Sequence, residues 1–185
     1  MISNKIKDTI GLFRESKEWD SVTLRGSSNF IKKTIEALDL LKRNVPEAEV
    51  LIQDNVSDIS EGSSTRAVVK VAGGGWCIIS NHDYQGNLIS YAATLAHEGY
   101  HCWQYKRYKN TFPKNDGPKG EHCGEKAEKE ALDYMVMVLE KLGAPPDEIS
   151  WYKNEAMKTR WWEGKCHKPR LNQGDSHRSR EHTQQ

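Results

Sequence analysis

The sequence predicts an α+β fold, in which a small sheet packs on helices. Helices are indicated by apolar side chains that recur three and four residues apart. This pattern is strongest in three stretches of the chain: 27–46, 88–108 and 125–142. Strands are indicated by two runs rich in β-branched residues, 65–72 and 76–80. Three glycines separate these runs, and a short glycine loop between two such runs is typical of a hairpin.

The length and the composition predict one domain with a polar end. A chain of 185 residues can bury a single core, so we expect one domain over residues 1–163. Residues 164–185 are polar and basic and have almost nothing to bury. We expect this tail to be disordered.

Weaker patterns precede the hairpin. Residues 1–20 have apolar side chains at roughly helical spacing and predict a short helix. The apolar run 48–53 predicts a short buried strand, and the polar residues 56–64 predict a loop. Between them, the helix over 27–46 has a serine cap at its start, and we expect Pro46 to end it.

The stronger patterns follow the hairpin. A long polar loop over 109–124 separates the helices over 88–108 and 125–142. Gly143 is expected at the C-cap of the second of these helices. A last helix is predicted to follow two prolines, with a cap near Asp147.

Charge and hydropathy exclude some classes of function. The formal net charge is +1 at pH 7, so nothing in the charge balance predicts binding to nucleic acid or to a membrane surface. No segment approaches the roughly 18 apolar residues that a membrane helix needs. The N-terminal residues do not resemble a signal peptide, and the cysteines are widely scattered. We therefore expect a cytoplasmic protein whose four cysteines are reduced thiols: Cys77, Cys102, Cys123 and Cys166.

The segment HEGYH, residues 97–101, carries the chemistry. On a helix, His97 and His101 lie about 40° apart and one turn along, so both can bind one Zn²⁺. Glu98 is offset by about 100° and is poorly placed as a ligand, but it can reach a water on the metal as general base. Gly99 costs about 1 kcal/mol in a helix relative to alanine, which predicts that another element packs closely there. The alternative is an ordinary helix in which these residues fall together by chance.

Two histidines leave a hydrolytic zinc short of one protein ligand. A third histidine six residues after His101 is absent, because Arg107 occupies that position. The helix over 125–142 offers carboxylates instead, at Glu125, Glu128 and Glu130. Most glutamates on helices are solvent-facing charges, so the residues alone leave the choice open.

The two motifs together resemble the gluzincin arrangement of the zincin metallopeptidases. In that arrangement HExxH is followed by a helix with the pattern E-x-x-A, which residues 128–131 match. The resemblance implies that Glu128 is the third zinc ligand and that the alanine lets two helices approach. Leu132 stands where related families often have aspartate, so Glu125 and Glu130 remain alternatives. The resemblance covers roughly residues 65–142.

The resemblance also implies a substrate-binding edge. Zincins place a small twisted sheet before the HExxH helix, and the edge strand of that sheet binds substrate in extended form. By this resemblance we expect residues 76–80 to be the edge strand, with free backbone groups for a peptide.

These observations predict a zinc-dependent metallopeptidase with a protein or peptide substrate. Zinc is expected on His97, His101 and Glu128, and Glu98 is expected to be the general base. The alternatives are a zinc-stabilised binding or regulatory module without turnover, and a zinc hydrolase of a non-peptide bond. Four residues are candidates for the donor that stabilises an oxyanion: His122, Tyr134, Tyr152 and Arg160.

Overall fold

The computed structural model describes residues 15–69, 74–111 and 122–159. Within these ranges five strands form one mixed sheet in the order β1-β2-β3-β5-β4. The strands are β1 (Glu15–Trp19), β2 (Val22–Gly26), β3 (Val56–Gly62), β4 (Arg66–Val69) and β5 (Gly75–Ser80). β2, β3 and β5 are parallel, whereas β1 and β4 run antiparallel to their neighbours at the two edges.

The described residues also form six α-helices and a short 3₁₀ helix, so the predicted α+β class is confirmed. The helices are α1 (Ser28–Asn44), α2 (Pro46–Asn55), α3 (Asn81–Gln85), α4 (Leu88–Thr111), α5 (Glu125–Leu142) and α6 (Pro146–Asn154), followed by the 3₁₀ helix Ala156–Thr159. α4 contacts α1, α2 and α5 as well as β4 and β5. The buried core includes side chains from the sheet and from these helices, so α4 is held by several elements at once.

Several local predictions are confirmed. Ser27 caps α1 by accepting a hydrogen bond from the backbone N–H of Phe30 at 3.2 Å. Gly143 is the C-cap of α5 and has a φ of 73°, the left-handed conformation that glycine adopts without strain. β4 and β5 pair antiparallel, as the predicted hairpin requires. The long predicted helix around HEGYH is α4.

The strand predicted over 48–53 is wrong, because these residues lie in α2. Pro46 comes after the end of α1, and it also begins α2. It stands in the first turn of the next helix, where its fixed φ and missing N–H are tolerated. Ala48 and Ile52 are four residues apart and both buried, so the apolar residues face the core with helical spacing.

The loop predicted over 56–64 is also wrong, because β3 occupies most of it at the centre of the sheet. Its polar side chains have partners that the local sequence does not show. The Asp58 carboxylate accepts a hydrogen bond from Arg25 Nε at 3.0 Å, and Ser60 Oγ accepts one from Trp76 Nε1 at 2.7 Å. Hydrogen-bonded polar groups can be buried at little cost, which is why a strand of this composition is stable here.

Three further predictions need correction. The helix predicted over 1–20 is wrong for its last residues, which form β1 and a turn at Asp20 (residues 1–14 lie outside the described part of the chain). α6 begins at Pro146 without a side-chain cap, so the predicted cap near Asp147 is absent. The strand over 76–80 is not an edge strand, because β5 lies between β3 and β4. The parallel pairing of β5 with β3 depends on β3, whose polar composition is typical of a loop.

The cysteine prediction is partly wrong. Cys77 and Cys102 are buried free thiols, with their Sγ atoms 4.0 Å apart. Cys123 is disulfide-bonded. The expectation of a cytoplasmic location therefore loses the support that four reduced thiols would have given it.

Two predicted segments cannot be compared with the structure. The tail over 164–185 and most of the loop over 109–124 lie outside the described residues. In the described ranges, no helix combines the length and the apolar character needed to cross a membrane.

Close packing between β5 and α4 makes Gly75 sensitive to substitution. A Cβ added at Gly75 would lie 2.2 Å from Cys102 Sγ and 2.7 Å from the backbone oxygen of Asn55. We expect Gly75→Ala to lower the free energy of unfolding by about 1–3 kcal/mol, as overpacking of a tight core does. Urea denaturation would measure this change.

Gly86→Ala is the matched control for this prediction. A Cβ there would lie 3.4 Å from its nearest neighbour, an ordinary contact, and the φ of −73° suits any residue. We expect this variant to unfold at nearly the wild-type urea concentration. Equal stability of the two variants would contradict the close contact between β5 and α4.

Candidate metal centre

α4 carries both histidines of the HEGYH segment toward α5. His97 and His101 lie one helical turn apart, and their ring centroids are 4.7 Å apart. Their Nε2 atoms approach each other to 3.1 Å. His97 is only 8% exposed, so it is not a solvent-facing residue of an ordinary surface helix.

α5 brings a carboxylate to the same point. Glu128 Oε2 lies 3.3 Å from His101 Nε2 and 3.7 Å from His97 Nε2. These three side chains form a group whose ligand atoms could hold a metal ion. Ala131, one turn after Glu128, is fully buried, which agrees with a close approach of α5 to its neighbours.

The spacing of the three atoms suits a zinc ion. Zinc bonds of about 2.0–2.1 Å in tetrahedral geometry place neighbouring ligand atoms about 3.3–3.4 Å apart. The three observed separations of 3.1, 3.3 and 3.7 Å lie on both sides of that distance. Three protein ligands also leave the fourth tetrahedral position for water or substrate, as in catalytic zinc sites.

Two buried polar atoms of the group lack hydrogen-bond partners among the described residues. Within the described part of the chain, Glu128 Oε2 and His97 Nδ1 are buried and make no hydrogen bond. Burying such an atom without a partner costs about 1–3 kcal/mol, and more if it is charged. A cation shared by the three side chains would satisfy Glu128 Oε2, so the residues present fit a bound metal.

The pKa shifts of His101 and Glu128 also indicate that the group favours a positive charge beside the carboxylate. Burial alone would lower the pKa of His101, but the Glu128 and Glu98 carboxylates and the contact with Gln104 raise it above its ordinary value. Burial alone would raise the pKa of Glu128, but His101 and His97 hold it far below its ordinary value. The carboxylate is thus ionised at neutral pH and attracts a cation to the two rings.

Glu98, the predicted general base, lies beside this group. Its side chain is buried, with a residue exposure of 7%. Its charge raises the pKa of His101, and it contributes, after the Cys102 thiol and burial, to raising the pKa of the Cys77 thiol. The Glu98 carboxylate is therefore close enough to act electrostatically on both His101 and the Cys77 thiol.

The structure separates the three candidate carboxylates of α5. Within the described residues, Glu128 is the only one of the three glutamates that lies with His97 and His101 in a group that could hold a metal ion. Glu125 is exposed at the start of α5. Glu130 accepts a hydrogen bond from Gln104 Nε2 at 3.2 Å. The geometry thus favours Glu128 as the third ligand, in the register that E-x-x-A implies.

Gly99 allows close packing on the side of α4 away from the metal-binding group. A Cβ at Gly99 would lie 2.9 Å from Ile52 Cγ1 and 3.2 Å from Leu51 Cδ2, both on α2. The prediction that another element packs against this glycine is confirmed. α2 on one side and α5 on the other therefore fix the position of α4.

Gln104 is a further residue of the site that the two sequence motifs do not include. This residue is 2% exposed, and its Oε1 lies 2.9 Å from His101 Nδ1. Its Nε2 donates to the backbone oxygen of Ala127 at 3.0 Å, on α5. Gln104 follows His97 by seven residues and so lies about 20° from it around the helix. That spacing was the available signal, but a glutamine on a helix is usually exposed.

The candidate oxyanion donors have other contacts. Tyr134 stacks on Tyr100 with ring centroids 4.9 Å apart, and burial raises its pKa to about 12. The His122 ring lies 4.1 Å from that of Tyr108, between centroids. Tyr152 packs edge-on against Trp151. These contacts select none of the three, and the fourth candidate, Arg160, lies outside the described residues.

Comparisons with known proteins found no match to this chain. The chain matches no family model, no curated protein and no solved structure.

The assignment of the third ligand can be tested by zinc affinity. Changes to the outer contacts of zinc ligands typically cost about 10- to 100-fold in affinity. Loss of a charged ligand should cost more, so we expect Glu128→Gln to weaken zinc binding by more than about 100-fold. Competition with a chromogenic chelator would measure this change.

Glu125→Gln is the matched control, since it removes the same charge from the same turn of α5 at an exposed position. We expect it to bind zinc within about 3-fold of wild type, because exposed charges contribute little. A larger loss in Glu125→Gln than in Glu128→Gln would show that the register is wrong.

Proposed function

We propose that the protein is a zinc-dependent peptidase of the zincin, gluzincin-like type. The observation that carries this proposal is the convergence of His97, His101 and Glu128 at distances that suit one zinc ion. The motif order supports it, because HExxH and E-x-x-A lie on two helices that pack together. The donor set of two imidazoles and a carboxylate is one that zinc hydrolases use.

In the proposed hydrolysis, the metal and the protein have separate roles. A bound zinc lowers the pKa of water and polarises a carbonyl oxygen. Glu98 is the group that accepts the proton of the attacking water and then delivers it to the leaving amine. Its burial beside the histidines keeps the carboxylate close to the reaction and away from bulk water.

We infer that a peptide substrate binds along the free edge of the sheet. β4, and not β5, is the strand at the edge next to α4, and β4 contacts α4 directly. In the described residues β4 pairs only with β5, so its second edge can accept an extended peptide. This arrangement supports a peptide as substrate over a small non-peptide ester or amide.

Glu98→Gln tests the proposed reaction. The glutamine keeps the shape of the side chain but cannot accept a proton at neutral pH, so we expect turnover to fall by about 10²- to 10⁴-fold. Cleavage of an unfolded-protein and peptide mixture, followed by mass spectrometry of the new termini, would measure it. Zinc content should remain near one ion per chain.

The outcomes separate the proposed peptidase from its alternatives. Wild-type protein that binds zinc but cleaves no peptide bond would favour a zinc-stabilised binding module or a hydrolase of another bond. Cleavage that is unchanged in Glu98→Gln would refute the role of Glu98 as the general base.

A further inference from the structure

We propose that Gln104 is a positioning residue, which fixes the proton of His101 on Nδ1 and turns its Nε2 lone pair toward His97 and Glu128. The inference rests on the proposed zinc site but does not require that the protein be a peptidase. Gln104 lies on α4, three residues after His101, and is 2% exposed. At that burial its amide depends on protein partners for its hydrogen bonds.

The orientation of the Gln104 amide follows from its partners. Its nitrogen lies 3.0 Å from the backbone oxygen of Ala127 and 3.2 Å from Glu130 Oε2. A backbone carbonyl can only accept a hydrogen bond, and so can an ionised carboxylate. A flipped amide would place oxygen against both acceptors, so the nitrogen faces them and Oε1 faces His101.

The tautomer of His101 follows from that orientation. Gln104 Oε1 lies 2.9 Å from His101 Nδ1 and can only accept, so Nδ1 carries the proton. In the neutral ring, Nε2 is then unprotonated. This is the atom that lies 3.1 Å from His97 Nε2 and 3.3 Å from Glu128 Oε2. The hydrogen bond therefore leaves the correct nitrogen free to bind a metal.

The same amide also connects the two helices of the site. Ala127 precedes Glu128 in the first turn of α5. The bond from Gln104 Nε2 to the Ala127 oxygen thus fixes that turn to α4. One side chain sets both the ring orientation of His101 on α4 and the position of the backbone that carries Glu128 on α5. Within the described residues His97 Nδ1 makes no hydrogen bond, so His101 is the only one of the two rings for which an outer contact is seen.

Two variants separate ring orientation from simple packing. Gln104→Leu fills the space but removes all three polar contacts, with His101, Ala127 and Glu130. The double variant Gln104→Glu, Glu130→Gln exchanges the two polar groups and conserves the net charge. Its carboxylate at position 104 can still accept from His101 Nδ1, and its amide at position 130 can donate to that carboxylate. Glu130→Gln alone is the control, because an amide oxygen still accepts from Gln104.

The first readout is the tautomer of His101 in the metal-free protein, from ¹⁵N shifts of the imidazole nitrogens at a pH where the rings are neutral. We expect wild type, Glu130→Gln and the double variant to have the proton on Nδ1. We expect Gln104→Leu to show a mixture of tautomers. A wild-type ring protonated on Nε2, or a Gln104→Leu ring unchanged from wild type, would overturn the proposal.

The second readout is zinc affinity by chelator competition. We expect a loss of about 10- to 100-fold for Gln104→Leu and a loss within about 3-fold for Glu130→Gln. We expect the double variant to lie between them, because it keeps the contact with His101 but loses the bond to the Ala127 oxygen. A Gln104→Leu variant that binds zinc as tightly as wild type would overturn the proposal. If wild type binds no zinc, the proposed function fails, while the tautomer measurement still decides the role of Gln104.

Discussion

The structure depends on one constraint: three electron-pair donor atoms lie close together and require a positive charge among them. The two Nε2 atoms of His97 and His101 and one oxygen of Glu128 lie within 3.7 Å of one another. Without a proton or a metal ion among them, unshared electron pairs would face each other in a site that is largely screened from water. A proton or a metal ion among these atoms therefore stabilises the arrangement of α4 and α5.

The fold keeps these atoms together from several sides. α2 packs on α4 at Gly99, and α5 approaches α4 where Ala127 and Ala131 are buried. β4 and β5 also contact α4. A helix held in this way cannot shift without opening the core, and packed cores resist such shifts because they contain few voids. The site is therefore preorganised by ordinary packing, and the metal does not have to draw the helices together.

The sequence predicted the elements whose signals are local. α1, α4 and α5 have long apolar patterns, Ser27 caps α1, Gly143 caps α5, and the β4–β5 hairpin has its glycines. The proximity of His97 and His101 was also predictable, because helical spacing relates the two residues. The choice of Glu128 needed a resemblance, since periodicity alone also allowed Glu125. The structure favours Glu128 by placing the other two carboxylates elsewhere.

The errors arose where distant residues decide the outcome. β3 has the composition of a loop, and it is a central strand because Arg25 and Trp76 satisfy its polar side chains. α2 has a short apolar run that suits a strand or a helix equally, and a proline such as Pro46 can follow one helix or begin the next. Gln104 was missed because its importance lies in partners on two helices.

X-ray absorption at the zinc K-edge, on wild-type protein loaded with one equivalent of zinc, tests the central claim most directly. We expect a first shell of four nitrogen or oxygen atoms at about 2.0–2.1 Å, with outer-shell scattering from two imidazole rings. Sulfur ligands at about 2.3 Å, or a single imidazole, would contradict the site formed by His97, His101 and Glu128.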